Sequence, residues 1–120
     1  MPIPSWTAPL FKAIDSGDWK SFGEFLTDQA TFRYGSFPAV HGRDAIRQAA
    51  AQAVAPFAKV WHELQAGWEA PGSCVLQGEV NYQLPNGTIH RLPFVNIFRM
   101  EGRLVQDYLI YIDPSPLMAP

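Results

Sequence analysis

The chain of 120 residues is 48% hydrophobic and 13% aromatic, with a formal net charge of -2 at pH 7. This length and composition predict one globular domain spanning residues 1–120. The small charge and the lack of a basic run argue against nucleic acid and anionic membranes as partners, and they favour a small neutral or apolar molecule.

The first residues and the single cysteine bear on location and redox chemistry. MPIPSWTAPLF lacks the basic segment and long apolar run of a signal peptide, and no stretch approaches the roughly 20 apolar residues of a membrane span. We therefore expect a cytoplasmic protein. Cys74 is the only cysteine, so an internal disulfide and a thiolate metal cluster within one chain are excluded. Its apolar setting favours a buried structural thiol over a catalytic one.

The front of the chain predicts two short helices. Thr7 can cap the first, which ends near Ser16-Gly17 and carries its apolar residues at helical spacing: Leu10, Phe11 and Ile14. Asp18 can cap the second, whose apolar residues are Trp19, Phe22, Phe25 and Leu26.

A short strand and a third helix follow. ATFRYGSF has the composition of a strand that breaks at Gly35. GRDAIRQAAAQAVAPF predicts an alanine-rich helix, capped by Asp44 or by the preceding loop, that stops before Pro56.

The second half changes to the period of strands. KVWHELQAGWE, SCVLQGEVNYQL, TIHRLPFVNIFRM and RLVQDYLIYID are four strand-like segments joined at APG, PNG and EG. Turns this short imply antiparallel neighbours. The predicted fold class is α+β, a cone-shaped barrel in which three N-terminal helices pack on a curved antiparallel sheet. The mouth of such a cone is a natural ligand pocket.

One polar residue stands out in the strand PFVNIFRM. Alternation puts Asn96 on the same face as Phe94 and Phe98. A carboxamide in apolar surroundings costs about 1–3 kcal/mol unless it finds hydrogen-bond partners. Either a ligand or a neighbour such as Tyr34 must satisfy it.

The facing of the other strands follows from pairing across the turns. It brings Glu79 and Asn81, and then Asp107, Leu109 and Tyr111, to the face of Asn96. The predicted substrate-binding residues are Trp61, Glu79, Asn81, Phe94, Phe98, Asp107 and Tyr111. For Glu79 an outward position is the alternative. The outer face would carry Val95, Ile97, Ile110 and Ile112, an apolar patch that predicts a homodimer through the open sheet face.

Three segments in order resemble the nuclear transport factor two superfamily, and within it the SnoaL-like polyketide cyclases, dehydratases and isomerases. They are AIDSGDWKSFGEFLTDQATF, HGRDAI and VNIFRMEGRLVQDYLIYID. The resemblance covers nearly the whole chain and implies the same cone. It leaves the activity open, because this fold hosts enzymes, binding modules and transport adaptors.

The resemblance implies which positions of this chain correspond to the catalytic residues of named enzymes in the superfamily. The catalytic positions of steroid delta-isomerases fall at Leu10, Tyr34 and Asn96, and those of limonene epoxide hydrolases near Glu79, Asn81 and Leu109. Neither residue set matches. Scytalone dehydratase is more similar: its DSxDW and YxSF patterns resemble residues 15–19 and 34–37, its strand asparagine falls at Asn96 and one histidine at His62. Its second histidine has no counterpart in this sequence.

The predicted catalytic residues are His62, Asp15, Tyr34 and Asn96. Imidazole exchanges protons near neutral pH, and Asp15 could orient it. Tyr34 and Asn96 could hydrogen-bond a carbonyl or enolate oxygen. Alternatively, Asp15 only ties down the turn before the second helix, and His62 is an ordinary half-buried strand residue.

The histidines show no metal-ligand spacing, so we expect neither a metal site nor a cofactor. Two functions remain open. The first is an enzyme that transfers protons on a hydrophobic oxygenated substrate, of the cyclase, dehydratase or isomerase type. The second is a noncatalytic domain of the same fold that binds a small molecule or a partner.

Overall fold

The computed structural model describes residues 3–118. The chain begins with helices α1 (Thr7–Ser16) and α2 (Trp19–Gly23), followed by strands β1 (Leu26–Tyr34) and β2 (Val40–His41) and helix α3 (Arg43–Val54). Strands β3 (Lys59–Ala70), β4 (Ser73–Gln83), β5 (Ile89–Glu101) and β6 (Leu104–Ile112) come next, and the short helix α4 (Ser115–Met118) ends the described part.

The six strands form one curved, unclosed sheet in the order β2-β1-β6-β5-β4-β3. Strands β3 to β6 are the predicted antiparallel meander. The α+β fold is therefore confirmed, with one difference of detail. Strand β1 pairs parallel with β6, so the sheet is mixed. A parallel pair needs a long connection, and here α3 and four strands, β2 to β5, separate the two partners.

The helix ends follow local capping chemistry. Thr7 is the first helical residue rather than the cap, and its hydroxyl donates to the Pro4 carbonyl at 2.6 Å. Helix α1 ends at Gly17, whose φ of 71° is the left-handed conformation that favours glycine. Asp18 caps α2 as predicted, accepting from the Ser21 N–H at 3.2 Å. Helix α2 ends at Gly23, so the predicted extension to Leu26 is wrong; Leu26 begins β1.

Helix α3 is entered from the loop before it. Gly42 holds the cap position without a side-chain cap, and Asp44 lies in the first turn, paired with Arg47 at 2.8 Å. Of the two predicted alternatives, the loop is therefore correct. The helix ends at Val54, before Pro56, because proline has no N–H to donate.

The β4–β5 turn has three residues, 85–87, and this decides the facing of β4. The Leu84 N–H donates to the Thr88 carbonyl at 2.8 Å and closes the loop. The PNG turn was predicted, but the predicted facing of β4 is consistent only with a loop that has an even number of residues. One additional loop residue reverses the face of every side chain in β4. Val80 and Tyr82 therefore face the interior, and the predicted inward facing of Glu79 and Asn81 is wrong.

A β-bulge does the same in β6. Met100 pairs with Val105, but Arg99 pairs with Asp107, so Gln106 is an additional residue on β6. Without the bulge, Asp107 and Tyr111 would face inward, as predicted. With it, the residues opposite Phe98, Asn96 and Phe94 are Tyr108, Ile110 and Ile112. The inward facing of Asp107, Leu109 and Tyr111 and the outward facing of Ile110 and Ile112 are both wrong.

Helices α1, α2 and α3 cover the concave side of the sheet, where the hydrophobic core lies. Its fully buried side chains include Leu10, Phe22, Leu26, Ile46, Leu76 and Phe98. Between residues 3 and 118, no helix combines the length and apolarity that crossing a membrane requires.

Candidate functional site

A cavity of about 330 Å³ opens between the helices and the concave face of the sheet. This size lies at the lower end of the range for small-molecule sites. Its wall is mainly aromatic and aliphatic, and its aromatic residues include Trp19, Phe22, Phe32, Phe57, Phe94 and Tyr108. Such a wall favours a compact ligand with an apolar body.

The polar centre of the cavity is a histidine held by a carboxylate. The Asp15 Oδ1 atom lies 2.6 Å from Nδ1 of His62, and the other oxygen, Oδ2, accepts the His62 backbone N–H at 3.1 Å. The last turn of α1 supplies Asp15, and β3 supplies His62. Since a carboxylate accepts hydrogen bonds, the ring hydrogen lies on Nδ1. Nε2 is then the nitrogen that can exchange a proton.

The imidazole is also fixed by its apolar neighbours. Its ring centroid lies 4.9 Å from that of Phe11 and 5.5 Å from that of Phe94. The side chain of His62 is 15% exposed and that of Asp15 is 26% exposed. The half-buried pair is thus oriented by packing as well as by hydrogen bonds, the arrangement that precise proton transfer requires.

Asn96 lies in the cavity wall with an unused acceptor. The residue is 2% exposed, and its Oδ1 atom has no hydrogen-bond partner among residues 3–118. It shares its face with Phe94 and Phe98, as predicted. The suggested tie to Tyr34 is not made, because the Tyr34 hydroxyl bonds elsewhere. An orphaned buried acceptor costs about 1–3 kcal/mol, so a ligand that satisfies it would recover that free energy.

The Tyr34 hydroxyl lies 2.9 Å from the hydroxyl of Tyr82. Both residues line the cavity. Burial raises the pKa of both phenols, so both stay protonated at neutral pH. Phe57 packs on Tyr82 and Phe37 stacks on Tyr34. Tyr82 was not predicted as a site residue, although the predicted three-residue PNG loop turns it inward when the pairing is counted correctly across it.

Most predicted substrate-binding residues lie outside this cavity. Phe94 lines it, whereas Phe98 is fully buried beside it, in contact with Trp6 and Tyr108. Trp61 pairs with Asn81 on the outer face, and the ammonium of Lys59 lies 4.9 Å from its ring centroid.

On that outer face Arg91 links two carboxylates. It donates to Glu63 at 2.9 Å and to Glu79 at 2.8 Å. The hydrogen bonds from Arg91 hold the pKa of Glu79 below its usual value. Asn81 donates to Glu63 at 3.1 Å. Asp107 faces Arg99, with 3.7 Å between charged atoms, and Tyr111 is 56% exposed. These groups have partners or solvent, and none of them lines the cavity.

The other two histidines are peripheral. His41 is exposed on β2, where its Nδ1 lies 3.2 Å from the Thr31 hydroxyl, and His90 is half-buried on β5. Within residues 3–118, no three His, Cys, Asp or Glu side chains converge as metal ligands would.

The fold and its lined cone define the class of nuclear transport factor two-like proteins. Residues 8–108 match the SnoaL-like domain family, and the chain belongs to that family. The sequence matches no curated protein.

Solved structures share the fold at low identity. A putative SnoaL-like polyketide cyclase from Jannaschia sp. CCS1 is 16% identical, with a TM-score of 0.83 over 93% of this chain and 85% of that one. A protein with a ketosteroid isomerase-like fold from Catenulispora acidiphila DSM 44928, in complex with trimethylamine, is 14% identical, with a TM-score of 0.84 over 92% and 86%.

A further similar structure is a limonene epoxide hydrolase-like epoxide hydrolase from M. tuberculosis. It is 8% identical, with a TM-score of 0.79 over 93% of this chain and 83% of that one. The fold therefore carries several activities, and the chemistry of this chain must be argued from its own residues.

Proposed function

We propose that the protein is an enzyme that moves a proton within a small, hydrophobic, oxygenated substrate, as a cyclase, dehydratase or isomerase does. The supporting observation is the 2.6 Å contact between Asp15 and Nδ1 of His62 at the wall of an otherwise apolar cavity. An oriented imidazole with one free nitrogen is the usual general acid and base at neutral pH.

The proposed roles follow from which atoms are free. Nε2 of His62 takes a proton from a carbon or a hydroxyl of the substrate, and the imidazolium returns it to another substrate atom. Asp15 holds the ring and stabilises the imidazolium without itself touching the substrate. The Tyr34–Tyr82 hydroxyl pair donates a hydrogen bond to a carbonyl or enolate oxygen, where negative charge develops.

A noncatalytic binding domain is the second candidate. It is favoured by the composition of the wall, because among residues 3–118 no carboxylate lines the cavity. His62 is then the sole imidazole or carboxylate in the described wall, and a binding pocket would need neither.

A panel of aromatic polyketide-like and terpenoid ketones and alcohols tests the two candidates. With a substrate that the wild type converts, we expect His62→Ala to lower kcat by about 10²–10⁴-fold, the usual contribution of general acid–base catalysis. The melting temperature should change little, because the neighbouring phenylalanines remain. Asp15→Asn should lower kcat less, since it disturbs the ring without removing it.

Tyr111→Phe is the matched control, because Tyr111 is exposed on the opposite face of the sheet. Its kcat should equal that of the wild type. Full activity in both His62→Ala and Asp15→Asn would end the dyad hypothesis. Tight binding of panel members without any turnover would favour the noncatalytic domain.

A further inference from the structure

The cavity has two polar poles of opposite hydrogen-bonding character. The first is the Oδ1 atom of Asn96, an acceptor without a partner on a residue that is 2% exposed. The second is the hydroxyl pair of Tyr34 and Tyr82. Two hydroxyls that share one hydrogen bond use one of their two protons and keep the other for a ligand. The first pole therefore needs a donor, and the second offers one.

The two poles are separated along the sheet. In β4, Leu76 lies opposite Asn96 and Tyr82 lies six residues further along, so Asn96 and Tyr82 belong to different rows of the sheet. Tyr34 begins in the row of Asn96, since both pair with Ile110, but its hydroxyl reaches across the concave face to β4. A ligand that contacts both poles must carry its polar groups at different ends.

Along the strand direction, the row of His62 lies between the row of Asn96 and the row of Tyr82. The partner of His62 in β4 is Val80, which is four residues from Leu76 and two from Tyr82. A ligand held at both ends would therefore present its middle to the imidazole. This arrangement is geometric and does not depend on any reaction.

We propose that the site selects a molecule with a hydrogen-bond-donating hydroxyl at one end, bound by Asn96, and an accepting carbonyl oxygen at the other, bound by the Tyr34–Tyr82 pair. Only the catalytic role of His62 in this assignment rests on the proposed function. The two binding contacts do not depend on that role. The assignment differs from the role predicted for Asn96, because binding a carbonyl or enolate oxygen would use the hydrogens of Nδ2, whereas this map uses the acceptor Oδ1.

Four small aromatic probes separate the poles, with affinity measured by isothermal titration calorimetry. They are p-hydroxyacetophenone, which carries both groups; p-methoxyacetophenone, whose ether cannot donate; p-ethylphenol, which lacks the carbonyl; and acetophenone, which lacks the hydroxyl. We expect p-hydroxyacetophenone to bind about 3–10-fold more tightly than each of the others, the usual contribution of one hydrogen bond.

Variants of Asn96 test the first pole. Asn96→Leu should remove the preference for p-hydroxyacetophenone over p-methoxyacetophenone and leave the affinity for acetophenone unchanged. Asn96→Asp keeps an acceptor oxygen and should retain the preference. It provides a second test of this pole if the leucine variant folds poorly. An unchanged preference in Asn96→Leu would overturn the assignment, as would p-methoxyacetophenone binding as tightly as p-hydroxyacetophenone to the wild type.

Variants of the tyrosines test the second pole. Tyr34→Phe and Tyr82→Phe each leave one O–H that can still donate, so each alone should weaken the binding of acetophenone by less than about 3-fold. The double variant removes both hydroxyls and should erase the preference for p-hydroxyacetophenone over p-ethylphenol. A double variant that retains this preference would contradict the map.

The outcome is separable from that of the proposed function. In His62→Ala the order of the four probes should be unchanged. If the order depends on Asn96 and the tyrosines but no substrate is ever converted, the binding map stands and the proposed enzyme does not. If turnover depends on His62 but the order of the probes is the same in the Asn96 variants as in the wild type, the proposed enzyme stands and the binding map does not. Failure of p-hydroxyacetophenone to bind at millimolar concentration would also contradict the map.

Discussion

Two buried asparagines lie on opposite faces of the same sheet and differ in what satisfies them. Asn81, on the outer face, is 3% exposed, and its Nδ2 donates to Glu63 at 3.1 Å and to the Trp61 carbonyl at 3.4 Å. Asn96, on the concave face, is 2% exposed and has an unpaired Oδ1. Burial is therefore nearly equal, and hydrogen bonding differs.

The contrast extends to the surroundings of the two residues. On the outer face, Arg91 bonds both Glu63 and Glu79, and Gln65 adds a bond to Glu79. This polar network is satisfied within the chain. On the concave face Asn96 lies among aromatic side chains and faces the cavity. An internal polar network stabilises the fold, whereas an unpaired acceptor in a cavity is typical of a ligand-binding surface.

Replacing each asparagine by leucine tests this contrast, and we expect the largest difference here. Asn81→Leu should lower the free energy of unfolding by about 1–3 kcal/mol, because it removes both hydrogen bonds from Nδ2, one of them to a carboxylate. Asn96→Leu should change it by no more than about 1 kcal/mol, because the unpaired carbonyl is removed together with its desolvation penalty. Urea denaturation measures both. A loss of several kcal/mol in Asn96→Leu would mean that the carboxamide is an internal tie.

The outer face should also be the surface of self-association. Trp68, Val75, Ile97 and Leu109 form one row across it, beside Val95 and Tyr111. Trp68 is 44% exposed and Tyr111 is 56% exposed. We propose that a second copy covers this patch, because contiguous exposed apolar patches often mark protein–protein contact sites. Sedimentation at micromolar concentration should give twice the 13.4 kDa of the chain.

Tyr111→Lys places a charge in that patch and should weaken the dimer by at least about tenfold in Kd, since an unpaired charge is costly to bury. Phe37→Lys is the control, because Phe37 is similarly exposed, at 44%, but follows β1 outside this patch. A wild type that sediments only as a 13.4 kDa species would refute the dimer.

A smaller effect concerns the pH dependence of the outer network. The hydrogen bonds from Arg91 lower the pKa of Glu79 from its usual 4.5. The folded state therefore holds this proton less strongly than the unfolded state does. The stabilisation from Glu79 is complete above pH 4.5 and is lost as the pH falls through the folded-state pKa.

Thermal melts of the wild type and Glu79→Gln between about pH 6 and about pH 3, a range that spans the ordinary carboxyl pKa, measure that loss. The wild type should melt higher at the upper end, and the two curves should converge at the lower end. Because Glu79 lies at the surface, we expect a modest difference in melting temperature. A difference that grows on acidification would contradict the sign.

The smallest effect should come from the thiol on the concave side. Cys74 is 1% exposed, and burial raises its pKa to about 11 from 9.0. At neutral pH it therefore carries very little thiolate, the reactive form. An aromatic disulfide reagent should label the native protein far more slowly than the urea-unfolded chain, and Cys74→Ala is the blank. Equal labelling rates in both states would show that the thiol is accessible.

More of the fold than of the candidate site could be predicted from the sequence. Asp18 as a cap and the apolar spacing of α1 are local features, and local chemistry decides them. The alternation in β5 correctly placed Asn96 with Phe94 and Phe98. Alternation within one strand does not reveal which face of the neighbouring strand meets it. One residue more or less at each turn changes that answer.

The pairing of Asp15 with His62 is a tertiary feature. The two residues are 47 positions apart, in a helix and a strand whose packing brings them to 2.6 Å. Their residue types and the family resemblance predicted a candidate pair, but no periodicity predicts that distance. Tyr82 was missed for a different reason: the predicted pairing across the PNG loop was one residue out of register, which turned Tyr82 outward.

The sequence by itself determined the helices, the four-strand meander, the apolar wall and the set of side chains able to exchange protons, because periodicity and residue chemistry are properties of short segments. Only the tertiary structure decided that Glu79 and Asp107 face outward, that Tyr34 reaches Tyr82, and that Oδ1 of Asn96 stays unpaired. The bulge at Gln106 and the loop at residues 85–87 set the strand registers. Register is a relation between distant segments, and it is fixed when their apolar faces pack together.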